Sequence, residues 1–484
     1  MGVKRVMDPL LRQLRRFGGP ILIILLLIGA FPTGPKQLPP VYADMPANYW
    51  ISQLDLPSGT RHPRTLEALS AIHKHCLYEL ESRLKSFDSR LRNLMIRVSS
   101  FFPRGRVAFP KPDLDLRRQA AAEVVAACGS EAAVLADPLV TGLQVARSPN
   151  TVEAIENALL TLGPAAIRPL SALSLGADEP SRARALHALS RIIPRHSLSG
   201  ESQRDLATVA ASQAGSHFPE LALAAYELLT ALTTNASHVL PSVLPGLEHP
   251  SPLVRTATAR FIGQLAREPG LCVPPLTGRV QRDADEATRT AAAQSLGRFG
   301  SHAAAAVDAL VNCIQSHSTA TALAAIQSLG RIGAPAATAV DALAASLRDP
   351  RSEVRAGSAV ALGRIGLTSP AVIQGLSDRL SDDDDYVRLS AVRSLTAFGP
   401  GAEPAVDALI RALSDPVESI RVSATDALGA IGPTAARARP HLQAARNNNQ
   451  SVMSQPVLAA LHRIDSPEAP GVLRSDGEED KPAR

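Results

Sequence analysis

Four cysteines, Cys76, Cys128, Cys272 and Cys313, and twelve histidines are the residues best suited to bind metal or attack a substrate. Their spacing argues against both roles. No two cysteines form a Cys-x-x-Cys pattern. The gaps are too wide for a zinc ribbon and the count is too low for a disulfide framework. They read as small buried hydrophobes, with a Cys272–Cys313 bridge between neighbouring units as the alternative. His73, His75 and Cys76 cluster in sequence, but on a helix only residues 73 and 76 share a face. The trio therefore reads as helix decoration. His187, His217, His249, His317 and His441 are scattered. The chain has no His-Glu-x-x-His, Gly-x-Ser-x-Gly, Walker A or Cys-x-x-Cys-His pattern. The expectation is a protein with no catalytic residues, no metal and no cofactor.

One charged constellation does recur. Arg289, Arg355, Arg388 and Arg421 each follow an aspartate by six residues: Asp283, Asp349, Asp382 and Asp415. A bare arginine ladder would suit phosphates. A ladder whose rungs each carry a neutralising acid reads as structural instead. The acid is placed to satisfy free N–H groups at a helix start. The arginine fork can reach the acid or the carbonyls of a neighbouring unit.

These residues sit in a repeat. Gly300, Gly333, Gly366, Gly399 and Gly432 are 33 residues apart. Leu296, Leu329, Leu362, Leu395 and Leu428 precede them by four, and Leu310, Leu343, Leu376, Leu409 and Leu442 keep the same period. Val354, Ser358, Ala361, Leu362 and Ile365 fall on one helical stripe. The following glycine can take the left-handed conformation that ends a helix. A second helix follows and stops at a turn such as Ser414-Asp415-Pro416, where proline cannot continue a helix interior. Each unit is then two antiparallel helices, and units must stack to bury their apolar faces. Eleven first helices are expected, ending near 129, 163, 193, 233, 266, 300, 333, 366, 399, 432 and 465.

Composition agrees with an all-α chain. Of 484 residues 45% are apolar, yet aromatic residues supply only 3% and alanine and leucine dominate. The net charge of +5 owes much to Lys4, Arg5, Arg12, Arg15 and Arg16. The remainder lacks the concentrated basic stripe of a nucleic-acid binder, so no nucleic-acid partner is expected. Ile21–Ile28 is continuous hydrocarbon after those basic residues, and the apolar span 18–31 is about 21 Å as a helix. That is short for a bilayer core of about 30 Å and suits a signal-peptide core. Residues 1–31 are therefore either a cleaved signal peptide or an N-terminal membrane anchor, with membrane contact through 18–31 in the second case. Either delivers the body across the cytoplasmic membrane. Residues 32–46 read as a proline-rich spacer, and 47–112 as a helical capping region with one long helix over 63–99. Residues 113–465 are the array, and 466–484 a polar, disordered tail.

The alternation of Asp-Pro, Val-Arg, an alanine-rich helix, Leu-Gly-x-Ile-Gly and a second leucine helix resembles HEAT repeats. It is most similar to the short bacterial subclass of phycobilisome-lyase type, which Asp349-Pro350 with Val354-Arg355 and Asp415-Pro416 with Ile420-Arg421 match closely. The resemblance implies a right-handed α-α superhelix of about eleven helix pairs. It also implies that second helices line the concave side. Their outward row would be Asp308, Asp341, Gln374 and Asp407, followed one turn on by Asn312, Ala345, Asp378 and Arg411. This mildly acidic row would suit a basic or polar protein partner and repel nucleic acid, unlike the HEAT-type DNA glycosylases. The His-Glu dipeptides of HEAT-type iron hydroxylases are missing, and the leader argues against bilin attachment. These features point to a non-catalytic interaction scaffold of the bacterial envelope. The alternatives are an accessory subunit of a membrane enzyme or secretion complex, bound through residues 44–110, and an uncharacterised enzyme or ligand carrier.

Overall fold

A computed structural model describes residues 114–466, apart from Ala177, 233–235 and 449–452, together with short pieces between 41 and 83. The apolar leader, the His73–Cys76 trio, most of the expected 63–99 helix and the polar tail lie outside the described residues. The chain forms two units. One comprises Met1–Pro138 and Ala146–Ala158, the other Leu139–Val145 and Leu159–Arg484.

In the first unit, β1 (Val41–Tyr42) pairs antiparallel with β2 (Met45–Pro46). The end of the expected spacer is thus a tight turn, with Ala43 at φ 47°. Trp50 is buried; its indole N–H donates to the Tyr42 carbonyl at 3.1 Å, and the two rings meet edge to face. The Tyr42 hydroxyl donates to Glu67 at 2.6 Å on α1 (Thr65–Ala71). The chain then enters α2 (Leu114–Cys128).

From α2 on, helices come in pairs: α3 (Ala136–Val145), then α4 (Pro149–Leu162) with α5 (Ile167–Leu173), α6 (Glu179–Ile192) with α7 (Gly200–Gln213), and α8 (Pro219–Ala231) with α9 (Leu240–Val243). Next are α10 (Pro252–Leu265) with α11 (Pro269–Arg282), α12 (Glu286–Arg298) with α13 (Val307–Ile314), and α14 (Thr319–Ile332) with α15 (Val340–Ser346). Finally α16 (Ser352–Ile365) pairs with α17 (Pro370–Arg379), α18 (Asp385–Phe398) with α19 (Val406–Ala412), and α20 (Glu418–Ile431) with α21 (Arg439–Asn448), before α22 (Ser454–Asp465). The described array therefore holds ten successive pairs and an eleventh first helix, rather than eleven complete pairs.

The fold is an all-α solenoid of helix hairpins. Its repeating leucines, Leu296 to Leu428 on first helices and Leu310 to Leu442 on second helices, all have zero exposure. They form one continuous core with the intervening alanines, which is how units too small to bury their own faces become stable. The glycines Gly300, Gly333, Gly366, Gly399 and Gly432 all have positive φ, between 54° and 77°, where a side chain would be strained. Ala266 takes the same place after α10 at φ 43°. Helix starts are capped locally: Asp285, Ser318, Ser369 and Asp384 each accept a backbone N–H from the first turn.

The stretch Leu114–Val145 is apolar enough, at mean hydropathy 1.4, to be weighed as a membrane span. It is not one continuous helix. Gly129 at φ 59° and Ala132 at φ −90°, ψ 19° break it between α2 and α3. The 15 residues of α2 reach about 22 Å, short of a bilayer core of about 30 Å.

Candidate functional site

Seven inter-unit turns use one polar side chain in the same way. Asp283, Asp349, Asp382 and Asp415 each accept the backbone N–H two residues on, at 3.0, 2.9, 3.1 and 2.8 Å. Ser216 and Ser316 do so with a hydroxyl, both at 3.2 Å. His249 does so with Nδ1 at 3.0 Å, while its Nε2 faces the Ser216 carbonyl at 3.0 Å. This places the proton on Nε2 and makes His249 a turn residue.

Arginines then tie turn to turn. Arg289, Arg355, Arg388 and Arg421 each send Nη1 to the carbonyl six residues back, at 2.8, 2.9, 2.9 and 2.7 Å. Arg255 does the same at 2.9 Å. The rest of the guanidinium reaches forward. Arg255 forks onto Asp283 at 2.8 and 2.7 Å, Arg355 onto Asp382 at 2.8 and 2.7 Å, and Arg388 onto Asp415 at 2.8 and 3.2 Å. The aspartate six residues earlier thus lends its carbonyl, and the carboxylate comes from the next unit. Arg289 faces Ser316 in that register and Arg421 faces Asn448, so neither has a carboxylate there. Where Ala322 replaces the arginine, Arg351 steps in. It forks onto Asp349 at 2.8 and 2.9 Å and donates to the Ser316 carbonyl at 3.1 Å.

Burial pushes the carboxyls of Asp283 and Asp382 up. The Arg255 and Arg355 forks and the turn N–H bonds outweigh it, so both titrate below the usual aspartate range. The Arg351 fork holds Asp349 low as well. A carboxylate with a depressed folded pKa stabilises the fold above its unfolded value, near 3.9, and that stability is lost as pH falls through the folded value. Stability should therefore be level from about pH 5 to 7 and fall below about pH 4, as urea melts across that range would read. D382N should flatten the acid limb.

The second-helix row is exposed. Asp308, Asn312, Asp341, Gln374, Asp378, Asp407 and Arg411 all face solvent. They are not drawn into one cluster. Gln374 donates to Asp378 at 2.8 Å, and Arg437 binds Asp407 at 2.9 Å and Glu403 at 2.7 Å. Part of the row's negative charge is thus neutralised within the chain. Asn312 and Ala345 share a shallow depression of about 360 Å³ with Arg348 and Asp349.

The first helices present a face that the sequence reading passed over. They pack backbone to backbone. A Cβ on Gly297 would lie 2.8 Å from the Ser328 Cα, one on Gly330 3.0 Å from the Ala361 Cα, and one on Gly363 3.0 Å from the Ser394 Cα. Ser295, Ser328 and Ser394 donate to carbonyls of the preceding first helix, each at 2.7 Å. Second helices touch far more sparsely. The first helices thus offer a second candidate face beside the second-helix row. On the outer edge stand Gln294, Gln327, Arg298, Arg331 and Arg364, all exposed. The signal was available: the three arginines recur at the same interval of 33.

Among the described residues no three His, Cys, Asp or Glu side chains converge on a site for a metal ion. Cys272 and Cys313 are free thiols, so the Cys272–Cys313 bridge is not formed. Burial pushes the Cys272 thiol up to about 11, which makes it unreactive.

Residues 240–318, 273–353, 307–396 and 373–462 match the family described as HEAT repeats. No curated protein matches the sequence significantly. Among solved structures, an engineered protein is 18% identical, covering 80% of this chain and 99% of that one, with a TM-score of 0.43. Kap95p, from a structure with RanGDP, is 15% identical, covering 87% and 66%, at 0.48. YibA from E. coli is 14% identical, covering 56% and 98%, at 0.41. These are similarities of fold.

Proposed function

We propose that the chain is a non-catalytic scaffold of the bacterial cell envelope that holds a protein partner against its helix stack. The observation that supports this reading is the array itself. Ten helix pairs follow one another with short turns, and each adds one exposed helix edge to either side. Long, regular edges suit recognition of another chain. The charged residues buried at the turns are occupied in joining units. Export rests on the leader: residues 18–31 deliver or tether the array outside the cytoplasmic membrane. The Asp-Pro and Val-Arg signatures favour the short bacterial subclass of HEAT repeats.

A photo-crosslinking residue placed at Asn312 on the second-helix row, or at Gln327 on the first-helix row, tests the reading in the full chain within its own cells. The expected result is a discrete adduct from one row and none from a turn position such as Thr368. No discrete adduct from either row would contradict it.

A further inference from the structure

Three consecutive arginines of the first-helix edge stand apart from those of the turns, and Arg463 on α22 keeps their register three periods on. Arg298, Arg331 and Arg364 close three consecutive first helices, α12, α14 and α16, and all are exposed. They make no ion pair or side-chain hydrogen bond among the described residues, unlike the arginines of the turns. A cation at a helix C-terminus gains from the helix dipole, but one arginine per helix would not need to leave a shared depression beside it. Two such depressions exist. One, of about 450 Å³, is lined by Arg298 and Arg331 over Gly263 and Gly297. The other, of about 400 Å³, is lined by Arg331 and Arg364 over Gly330 and Gly357, with Gln327 and Tyr386 at its sides. Arg331 belongs to both, so the two make one run. Glycines keep its floor low, and the Arg364 stem lies 3.5 Å from where a Gly330 Cβ would stand.

We infer that this run binds an extended acidic segment of the partner protein, with one carboxylate per arginine. The inference rests on the scaffold reading and adds the face and the chemistry. Neighbouring helices pack about 8–10 Å apart. A polyproline-II chain advances about 3.1 Å per residue with three residues per turn, so equivalent arginines on adjacent helices match every third residue along one face of such a chain. Acidic residues at every third position would therefore meet Arg298, Arg331 and Arg364 in turn. Exposed Gln294 and Gln327, four residues before the arginines, are placed to bond the segment's peptide groups. Glu353 and Asp384, at the starts of α16 and α18, line the same depression and confine the acidic chain to the arginine end. They also disfavour the closely spaced phosphates of a nucleic-acid strand.

The probe is a fluorescent 13-residue peptide of glycine, serine and alanine with glutamate at every third position, titrated onto the full-length protein at low salt. A control peptide has the same composition with its glutamates contiguous. Binding should favour the spaced peptide and weaken about threefold per arginine removed, so roughly 30-fold in R298A/R331A/R364A. D308A/D341A on the second-helix row should leave it unchanged. Circular dichroism and the single variants guard against a folding defect. Equal binding by the triple variant, no preference between peptides, no binding, or tighter binding of an oligothymidylate would each overturn the inference. A discrete crosslink from Asn312 and none from Gln327 would overturn it too, while leaving the scaffold reading intact.

Discussion

Replacing Asp382 by alanine should destabilise the junction between α16 and α18 by about 3 kcal/mol. The Asp382 side chain is 2% exposed and receives both arms of Arg355 and, at 3.0 Å, Arg379. It also holds the N–H of Asp384 at 3.1 Å. Breaking a buried pair by removing one partner costs about 3–5 kcal/mol. The low end applies because Arg355, 15% exposed, can turn to water. Arg289 supplies the internal comparison. It makes the carbonyl bonds of the ladder without a carboxylate ahead of it, so R289A should cost only about 1 kcal/mol. A solenoid need not unfold in one step. Amide exchange in α16 and α18, read beside urea melts, is therefore the right measurement. Equal losses in the two variants would mean that the forward fork contributes little.

A comparable loss is expected from a single methyl group at Gly297. Alanine is the better helix former by about 1 kcal/mol. Here its Cβ would stand 2.5 Å from Ser328 Oγ and 2.8 Å from the Ser328 Cα. The Cα belongs to a helix backbone that cannot step aside, and Ser328 is committed to the Ala293 carbonyl at 2.7 Å. Overpacking of this kind costs about 1–3 kcal/mol; the contact with backbone puts it at the high end, so G297A should lose up to about 2 kcal/mol net of the helix gain. G330A meets the Ala361 Cα at 3.0 Å and should lose less. Gly270, also in a helix, has nothing within 4 Å, so G270A should be neutral or gain up to about 1 kcal/mol. Thermal or urea unfolding should return that order. A stabilising G297A would show that first helices are not held backbone to backbone.

The two glycines of the repeat show how far the sequence could be read. The one that ends each first helix was legible, because a 33-residue period and a following turn leave it little other purpose. The one three residues earlier, as in Gly297, Gly330, Gly363 and Gly429, recurs at the same interval except at Thr396, yet a glycine inside a helix says nothing about what approaches it. Its reason is the Ser328, Ala361 or Ser394 backbone on the next unit. The same limit governed the ladder. Aspartate and arginine six apart invite a local pairing, but the carboxylate that Arg355 grips is 27 residues ahead. A partner's identity is spread over two units, and local spacing cannot assign it. The exchange of Ala322 for Arg351 in serving Asp349 is invisible without the fold. The outward rows are hardest of all, since solvent constrains them little.

The account stands on one claim, that equivalent hairpins share an interior only their stacking creates. Deleting residues 352–384, one full period comprising α16 and α17, tests it directly. Circular dichroism should show unchanged helicity per residue and a cooperative melt, because α18 then docks where α16 did. Deleting only 352–368 should be far more damaging, since it removes one helix and inverts the pairing that follows. If the 33-residue deletion loses helix to the same extent as the 17-residue one, the units are not interchangeable and the claim is wrong.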